Sequence, residues 1–241
     1  MTLIPLLLAG AALGSDGTRA PSFHAVLNPA TGLTETVWAP SPPEAPHQVL
    51  HSILSAGGWS APAPVNGAPL AAPARDPRLS ISPSGDRLVV WWQEGGGSEH
   101  DTVWQSAQPA AGGAWTSPER VEDGAEDIRE PESIFSNGVF FVACQTGVPG
   151  ARRRVQVRTK QEGPDPWPVC FDHPALFTGD LELQIHSENG HVWVDWVDTD
   201  VTLRWAELHG CAWDPPRSEP IDRPGGVAGA RLRVREFVLG R

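Results

Sequence analysis

Two tripeptides, Arg75-Asp76-Pro77 and Arg129-Glu130-Pro131, carry residue types that can bind polar ligands or take part in acid-base chemistry. A planar guanidinium binds a carboxylate or a pair of hydroxyl groups through parallel hydrogen bonds. Two carboxyl groups with different pKa values can cleave a glycosidic bond, one as acid and one as base or nucleophile. We therefore take Arg75, Asp76, Arg129 and Glu130 as candidate ligand-binding residues, with Glu130 and Asp76 also candidates for catalysis.

A repeat of about 53 residues predicts that these tripeptides are structurally equivalent. Four turn glycines follow one another at intervals of 53, 53 and 52 residues, namely Gly32, Gly85, Gly138 and Gly190. Six residues after each glycine stand Trp38, Trp91, Cys144 and Trp196. Large side chains at a fixed step of a repeat are typical of packing between adjacent units, so we expect a packing role for the three tryptophans.

Each unit contains four strand-length runs separated by turn residues, which predicts an all-β chain. Four strands per unit at this period favour a β-propeller of four blades over a solenoid, whose repeats are usually shorter or helical. We expect a single domain over residues 19–241, with units at about 19–72, 73–127, 128–179 and 180–225. The remainder, 226–241, contains "ARLRVREFVL", which we interpret as a strand of a partial fifth blade formed with the N-terminus; a chain cut short is the alternative.

The propeller prediction gives the candidate residues a common location. Each Arg-x-Pro segment leads into the innermost strand of its blade, which faces the central funnel, so Asp76 and Glu130 could share one site. The equivalent segment of the first unit is Arg19-Ala20-Pro21, with Ala20 in the acidic position, and Asp180 could substitute only from across the ring. We add Trp92 and Trp104, which lie outside the repeat, as candidates for stacking on a sugar ring. The alternative is that the arginines and carboxylates form ion pairs between blades.

Composition argues against several classes of function. A formal charge of −11 makes nucleic acid and anionic lipid surfaces unfavourable partners. Cys144, Cys170 and Cys211 show no zinc-binding spacing, so we expect no metal and no cofactor. The apolar run within residues 1–18 is too short to span a bilayer; it is interpreted as a signal peptide or as a closing strand. A signal peptide would give a secreted or periplasmic protein, and otherwise the protein would be cytoplasmic.

Two segments resemble the Asp-box hairpins of sialidase propellers. The segments are "SILSAGGWSAPAPV" from Ser52 and "SAQPAAGGAWTSPERV" from Ser106, and both lack the aspartate of that pattern. Its tail is matched loosely by Gly58, Trp59, Pro62, Gly113, Trp115 and Pro118. The Arg-x-Pro segments are also similar to the sialidase segment whose arginine binds the sialate carboxylate. "ARDPRL" resembles the five-bladed glycosidases, in which the aspartate stabilises the transition state.

The resemblance implies a sialidase-like propeller, but the family's tyrosine nucleophile is absent because the chain contains no tyrosine. The leading expectation is an exported, non-catalytic propeller that binds a glycan or another polar ligand at the central funnel. The alternatives are a glycoside hydrolase, with Glu130 as the acid and Asp76 as the transition-state stabiliser, and a scaffold propeller whose rim binds protein.

Overall fold

The computed structural model describes most of the chain as an all-β protein with one helix. It covers residues 22–40, 47–67, 69–95, 100–122, 126–147, 153–160, 167–174, 182–198, 202–209, 212–221 and 226–240. Four antiparallel sheets follow one another along the chain, and each contains four strands paired in sequence order. The predicted four-bladed, four-stranded repeat is confirmed.

The strands of each blade run from the central channel outward. Blade 1 consists of β1 (Phe23–Leu27), β2 (Thr34–Trp38), β3 (Leu50–Ser55) and β4 (Gly58–Trp59), with β5 (Ala63–Pro64) also paired to β3. Blade 2 consists of β6 (Ala74–Ile81), β7 (Arg87–Gln93), β8 (Thr102–Gln108) and β9 (Glu119–Arg120). Blade 3 consists of β10 (Asp127–Ser136), β11 (Val139–Gly147), β12 (Arg154–Lys160) and β13 (Val169–Pro174). Blade 4 consists of β14 (Gln184–Glu188), β15 (His191–Asp198), β16 (Thr202–His209) and β17 (Ala212–Trp213), with β18 (Arg217–Pro220) also paired to β16.

Apolar side chains between consecutive blades form the core. Trp91 packs among blade 1 residues, Cys144 among blade 2 residues and Trp196 among blade 3 residues, and all three are fully buried. Burial also raises the pKa of the Cys144 thiol to about 12, so this cysteine acts as an apolar packing residue. Trp38 is only half-buried, because among the described residues no blade precedes blade 1. The repeated position therefore packs each blade against the one before it.

The C-terminal segment is a helix, so the predicted strand at "ARLRVREFVL" is wrong. Helix α1 (Gly226–Val238) lies on the outer face of blade 4, where Ala230, Val234 and Val238 pack against Trp193, Leu203 and Trp205. These three helix residues recur every four positions, so they form one apolar stripe. The stripe occupies the face against which a next blade would pack. The N-terminal part of the predicted fifth blade lies outside the described residues.

A buried ion-pair network joins blades 1 and 2. Glu35 is fully buried and accepts two hydrogen bonds from Arg87, at 2.6 and 2.7 Å. It also accepts one from Asn28 at 2.6 Å and lies 2.8 Å from Nε2 of His51. Burial alone would raise the pKa of Glu35, but the hydrogen bonds from His51, Arg87 and Asn28 lower it to about 2. The carboxylate is therefore ionised and paired within the blade interface.

Candidate functional site

Asp76 and Glu130 occupy equivalent β-bulges on the innermost strands of blades 2 and 3. The pairing register shifts between Arg75 and Arg78 in β6, and between Arg129 and Glu132 in β10. Both acidic residues have positive φ angles, 44° for Asp76 and 48° for Glu130. Residues other than glycine seldom adopt this region, aspartate and asparagine more readily than glutamate, and such strain is concentrated at functional sites. The repeat thus places two strained acidic residues at the same end of the central channel.

Equivalent residues of β7 and β11 hold the two carboxylates. Trp92 Nε1 donates a hydrogen bond to Asp76 Oδ2 at 3.0 Å, and Gln145 Nε2 donates one to Glu130 Oε2 at 2.5 Å. Trp92 and Gln145 each follow the repeated packing position by one residue. The backbone N–H of Asp76 also donates to Ser22 Oγ at 3.1 Å, which connects this bulge to blade 1. Both side chains are therefore fixed in orientation by hydrogen bonds.

Arg75 and Arg129 converge on a single indole between blades 2 and 3. Their guanidinium carbons lie 5.8 Å and 5.9 Å from the ring centroid of Trp92. Trp92 is only 5 % exposed, so little of its ring is open for a sugar to stack on. The ring instead makes cation–π contacts with the two guanidinium groups. Arg75 forms an ion pair with Glu94 at 2.8 Å, and Arg129 forms ion pairs with Asp101 and, at 3.9 Å, with Asp127.

Trp104 lies on the opposite face of blade 2 from Trp92. It is partly buried against the cluster between blades 1 and 2, and its Nε1 donates to Thr102 Oγ1 at 2.8 Å. The Arg120 guanidinium carbon lies 5.3 Å from its ring centroid. The structure thus brings together Arg75, Asp76, Arg129, Glu130 and Trp92, and it separates Trp104 from them. Arg19, Ala20 and Asp180 lie outside the described residues.

Four ionisable residues that were not predicted from the sequence form a second layer in the channel, one from each blade, at intervals of 54 residues: His24, Arg78, Glu132 and His186. The first three pair with Val37, Val90 and Ala143 at equivalent points of the repeat, whereas His186 lies opposite Trp193, two residues nearer the hairpin. Arg78 Nε donates to Glu132 Oε1 at 2.8 Å, across the interface between blades 2 and 3. The equal spacing on the predicted innermost strands is the signal that could have identified them.

The charge state of this layer follows from burial and from its neighbours. Burial raises the pKa of Glu132; Arg78 opposes this shift, and the charge of Asp76 adds to it. Burial, followed by the charge of Arg78, lowers the pKa of His24 to about 4. His24 Nδ1 accepts the backbone N–H of Leu79 at 3.1 Å, so its neutral ring carries the proton on Nε2. The influence of Asp76 on Glu132 joins this layer electrostatically to the bulge residues.

His186 connects the channel to helix α1. Its Nε2 lies 2.6 Å from Asp195 Oδ2, and Asp195 is fully buried. The other oxygen of Asp195 accepts a hydrogen bond from Arg231 of the helix at 2.8 Å. Arg231 also donates to the backbone carbonyl of Glu182 at 2.9 Å. The imidazole orientation in the channel therefore depends on a contact that the C-terminal helix supplies.

Neither a metal cluster nor a membrane span is found in the part of the chain that the structure describes. No group of three or more His, Cys, Asp or Glu residues there could hold a metal ion. No helix within those ranges is long and apolar enough to cross a membrane. The candidate site therefore consists of guanidinium, carboxyl, imidazole, indole and amide groups.

Solved structures share this fold at low sequence identity. A Trypanosoma rangeli sialidase in complex with the inhibitor DANA matches with a TM-score of 0.52 and 10 % identity, over 85 % of this chain and 40 % of its own. A Penicillium chrysogenum alpha-L-arabinanase complexed with arabinobiose matches with a TM-score of 0.56 and 13 % identity, over 83 % and 64 % respectively. The chain has a sialidase-like and glycosidase-like β-propeller fold.

A third similar structure gives a fuller overlap. A thermostable family-43 glycoside hydrolase matches with a TM-score of 0.56 and 9 % identity, over 87 % of this chain and 78 % of its own. By contrast, the chain spans less than two thirds of the length of the sialidase and of the arabinanase. No protein-family model and no curated protein sequence matches it. The resemblance predicted from the sequence is confirmed for the fold. Sequence identities this low say nothing about the activity of this protein.

Proposed function

We propose that this protein binds a glycan, without cleaving it, at the channel end where Asp76 and Glu130 lie. The observation that carries the proposal is the pair of equivalent bulges, which present two oriented carboxylates beside two arginines. Carboxylates accept hydrogen bonds from sugar hydroxyl groups, and guanidinium groups donate to them in pairs. A concave surface with a few fixed polar groups is the usual form of a small-ligand site.

The strain at the two acidic residues supports a binding role. Each positive φ angle at a residue other than glycine costs on the order of 1 kcal/mol, and a purely structural repeat could avoid this cost with glycine or asparagine. Asn137 and Asn189 fill the positive-φ turn positions of this same chain. Retaining Asp76 and Glu130 in this conformation is therefore explained by a ligand that uses their carboxylates.

The similar structures support a carbohydrate ligand, since the arabinanase is complexed with arabinobiose and the sialidase with the inhibitor DANA. Sialidase chemistry through a tyrosine nucleophile is not proposed, because the chain has no tyrosine. We therefore infer a glycan ligand and assign it to the channel end that carries the bulges at Asp76 and Glu130.

A glycan array tests the proposal. The wild-type protein should bind a defined subset of glycans, and the double variant Arg75→Ala/Arg129→Ala should lose that binding. Arg154→Ala is the matched control, because Arg154 is also paired to a carboxylate, Asp172, but lies on β12. Binding that survives the double variant would reject this site. A blank array together with a specific protein partner would instead support the scaffold alternative.

Glycoside hydrolysis is the second candidate function, favoured by the raised pKa of Glu132 beside the charge of Asp76. A carboxyl group with a raised pKa beside a second carboxyl group is the arrangement that glycosidases require. Chromogenic glycosides test this alternative, with Glu130→Gln and Glu132→Gln as the variants. Turnover lost in one of them would replace the non-catalytic proposal and identify the acid, and turnover unchanged in both would assign the activity to other residues.

We also propose that the protein is exported, because the apolar run within residues 1–18 has the length of a signal peptide. Fusion of residues 1–21 to a reporter that is active only outside the cytoplasm tests this. Reporter activity supports export, and its absence supports a cytoplasmic protein.

A further inference from the structure

A cavity of about 490 Å³ lies in the channel on the hairpin side of the Arg78–Glu132 pair. All four innermost strands line it, through residues 24–29, 79–81, 132–135 and 184–187 in part. On β6 and β10 these residues come after Asp76 and Glu130, toward the turns at the other end of the strands. The volume is within the range of about 300–1,000 Å³ that is typical of small-ligand sites. The cavity is therefore large enough for a ligand of its own.

The inner end of this cavity is polar and close to neutral in charge. Its polar side chains are His24, Ser80, Glu132, Ser133, Gln184 and His186. Arg78 compensates the charge of Glu132, and His24 is neutral because its pKa is about 4. His186 is paired to Asp195, which is itself paired to Arg231. Donors and acceptors are thus present without a net charge to attract an ion.

The outer end of the cavity is mainly apolar. The side chains there are those of Val26, Leu27, Pro29, Ile81, Ile134 and Phe135, together with Ser187. Leu27 is 66 % exposed at the end of β1, at the rim of the cavity. A ligand that covered Leu27 would gain hydrophobic stabilisation in proportion to the apolar area removed from water.

We propose that this cavity is a second binding site, for an uncharged amphiphile with a hydroxyl-bearing head and an apolar tail. The head contacts the polar layer of His24, Glu132 and His186, and the tail packs against Leu27 and Phe135. Neither an anion nor a cation is favoured, because Arg78 and Arg231 compensate the charges of Glu132 and Asp195. The site lies on the other side of the Arg78–Glu132 pair from the proposed glycan site, so its existence does not depend on that proposal.

Hexyl β-D-glucoside is a suitable probe. Glucose tests the head without the tail, and hexanoate and hexylammonium test a similar tail with a negative or a positive charge. Protein-observed NMR titrations below the micelle concentration give the affinities and map the contacted backbone amides. We expect hexyl β-D-glucoside to bind most tightly, with shifts on β1, β6, β10 and β14 near the hairpins. Tighter binding of either charged probe, no binding, or shifts elsewhere would each overturn the proposal.

Variants at the outer end of the cavity give a second test. Leu27→Glu should weaken hexyl β-D-glucoside binding about tenfold, because it places a charge where the tail packs. Leu232→Glu is the control, since Leu232 is similarly exposed, at 52 %, but lies on helix α1. Both positions are on the surface, so both variants should fold. Equal affinities of the two variants would overturn the assignment of the tail to Leu27.

The double variant Arg75→Ala/Arg129→Ala separates this site from the proposed glycan site. It should leave the affinity for hexyl β-D-glucoside within about twofold of wild type, since neither arginine lines the cavity. A parallel loss of glycan and glucoside binding would mean a single site and would overturn the proposal of a second one.

Discussion

Arg78 and Glu132 lie 54 residues apart on the innermost strands of adjacent blades, and Arg78 Nε donates to Glu132 Oε1 at 2.8 Å. The pair lies at the channel wall, between the proposed glycan site and the cavity at the hairpin end. Their side chains are 23 % and 24 % exposed, so solvent screens the pair only partly. This contact ties blades 2 and 3 together at the channel wall.

Loss of one partner should therefore destabilise the protein more than loss of both. Arg78→Met leaves Glu132 partly buried without this ion pair and should lower the free energy of unfolding by about 1–3 kcal/mol. The double variant Arg78→Met/Glu132→Gln should recover part of that loss. Urea unfolding of the two single variants and the double variant measures the coupling. Additive effects would contradict a direct interaction.

The Glu35 network predicts a pH-dependent contribution to stability. The Glu35 pKa falls from 4.5 to about 2 on folding, so its stabilisation is complete above pH 4.5 and is lost as the pH falls toward 2. Glu35→Gln should cost on the order of 3 kcal/mol near neutral pH and much less at pH 2. Unfolding free energies at both pH values test this. Glu119→Gln changes an exposed carboxylate and is the control. Its effect on the free energy of unfolding should be similar at both pH values.

Gly85 and Gly138 provide a comparison within the repeat. Both glycines have positive φ, 97° and 84°, so alanine at either position should cost about 1 kcal/mol. A Cβ at Gly85 would also lie 3.3 Å from the Cβ of Ala30 in blade 1, whereas none of the described atoms lies within 4 Å of one at Gly138. Gly85→Ala should therefore lower the melting temperature more than Gly138→Ala. The reverse order would argue against the close approach of blades 1 and 2 at this turn.

Helix α1 should contribute to the stability of the folded protein. Val234 is 2 % exposed in the cluster with Trp193 and Trp205, so Val234→Asp should destabilise by several kcal/mol. Leu232→Asp, on the exposed side of the same helix, should change stability by less than about 0.5 kcal/mol. Thermal unfolding followed by tryptophan fluorescence compares them. Equal melting temperatures would mean that the helix does not stabilise blade 4.

The repeat made the blades predictable because packing between identical units constrains the same positions in each. Strands such as β7 (Arg87–Gln93) followed from alternating turn signals and β-branched runs, and Trp91 and Trp196 were buried as expected. The helix was not predictable from the same signals. Its arginines alternate with apolar residues in "RLRVRE", a strand-like pattern, whereas the helix is stabilised by packing of Ala230, Val234 and Val238 on blade 4.

The candidate site was predictable in part. Equivalence within the repeat identified Asp76 and Glu130, but their positive φ angles depend on β-bulges that pairing with the next strand creates. The partners of Arg75 and Arg129 also come from outside the repeat pattern, from Glu94 and Asp101. His24 and Arg78 were missed because single ionisable residues within a strand give no local motif, and only their shared spacing marks them.

Binding energetics at Arg75 and Arg129 test the central claim, that residues from adjacent blades form one glycan site. The affinity of a glycan selected on the array would be measured calorimetrically for wild type, Arg75→Met, Arg129→Met and the double variant, with Arg154→Met as control. We expect each single variant to weaken binding about tenfold or more, the two effects to be non-additive, and the control to match wild type. Affinities unchanged in all variants would contradict the site, and strictly additive losses would contradict a shared one.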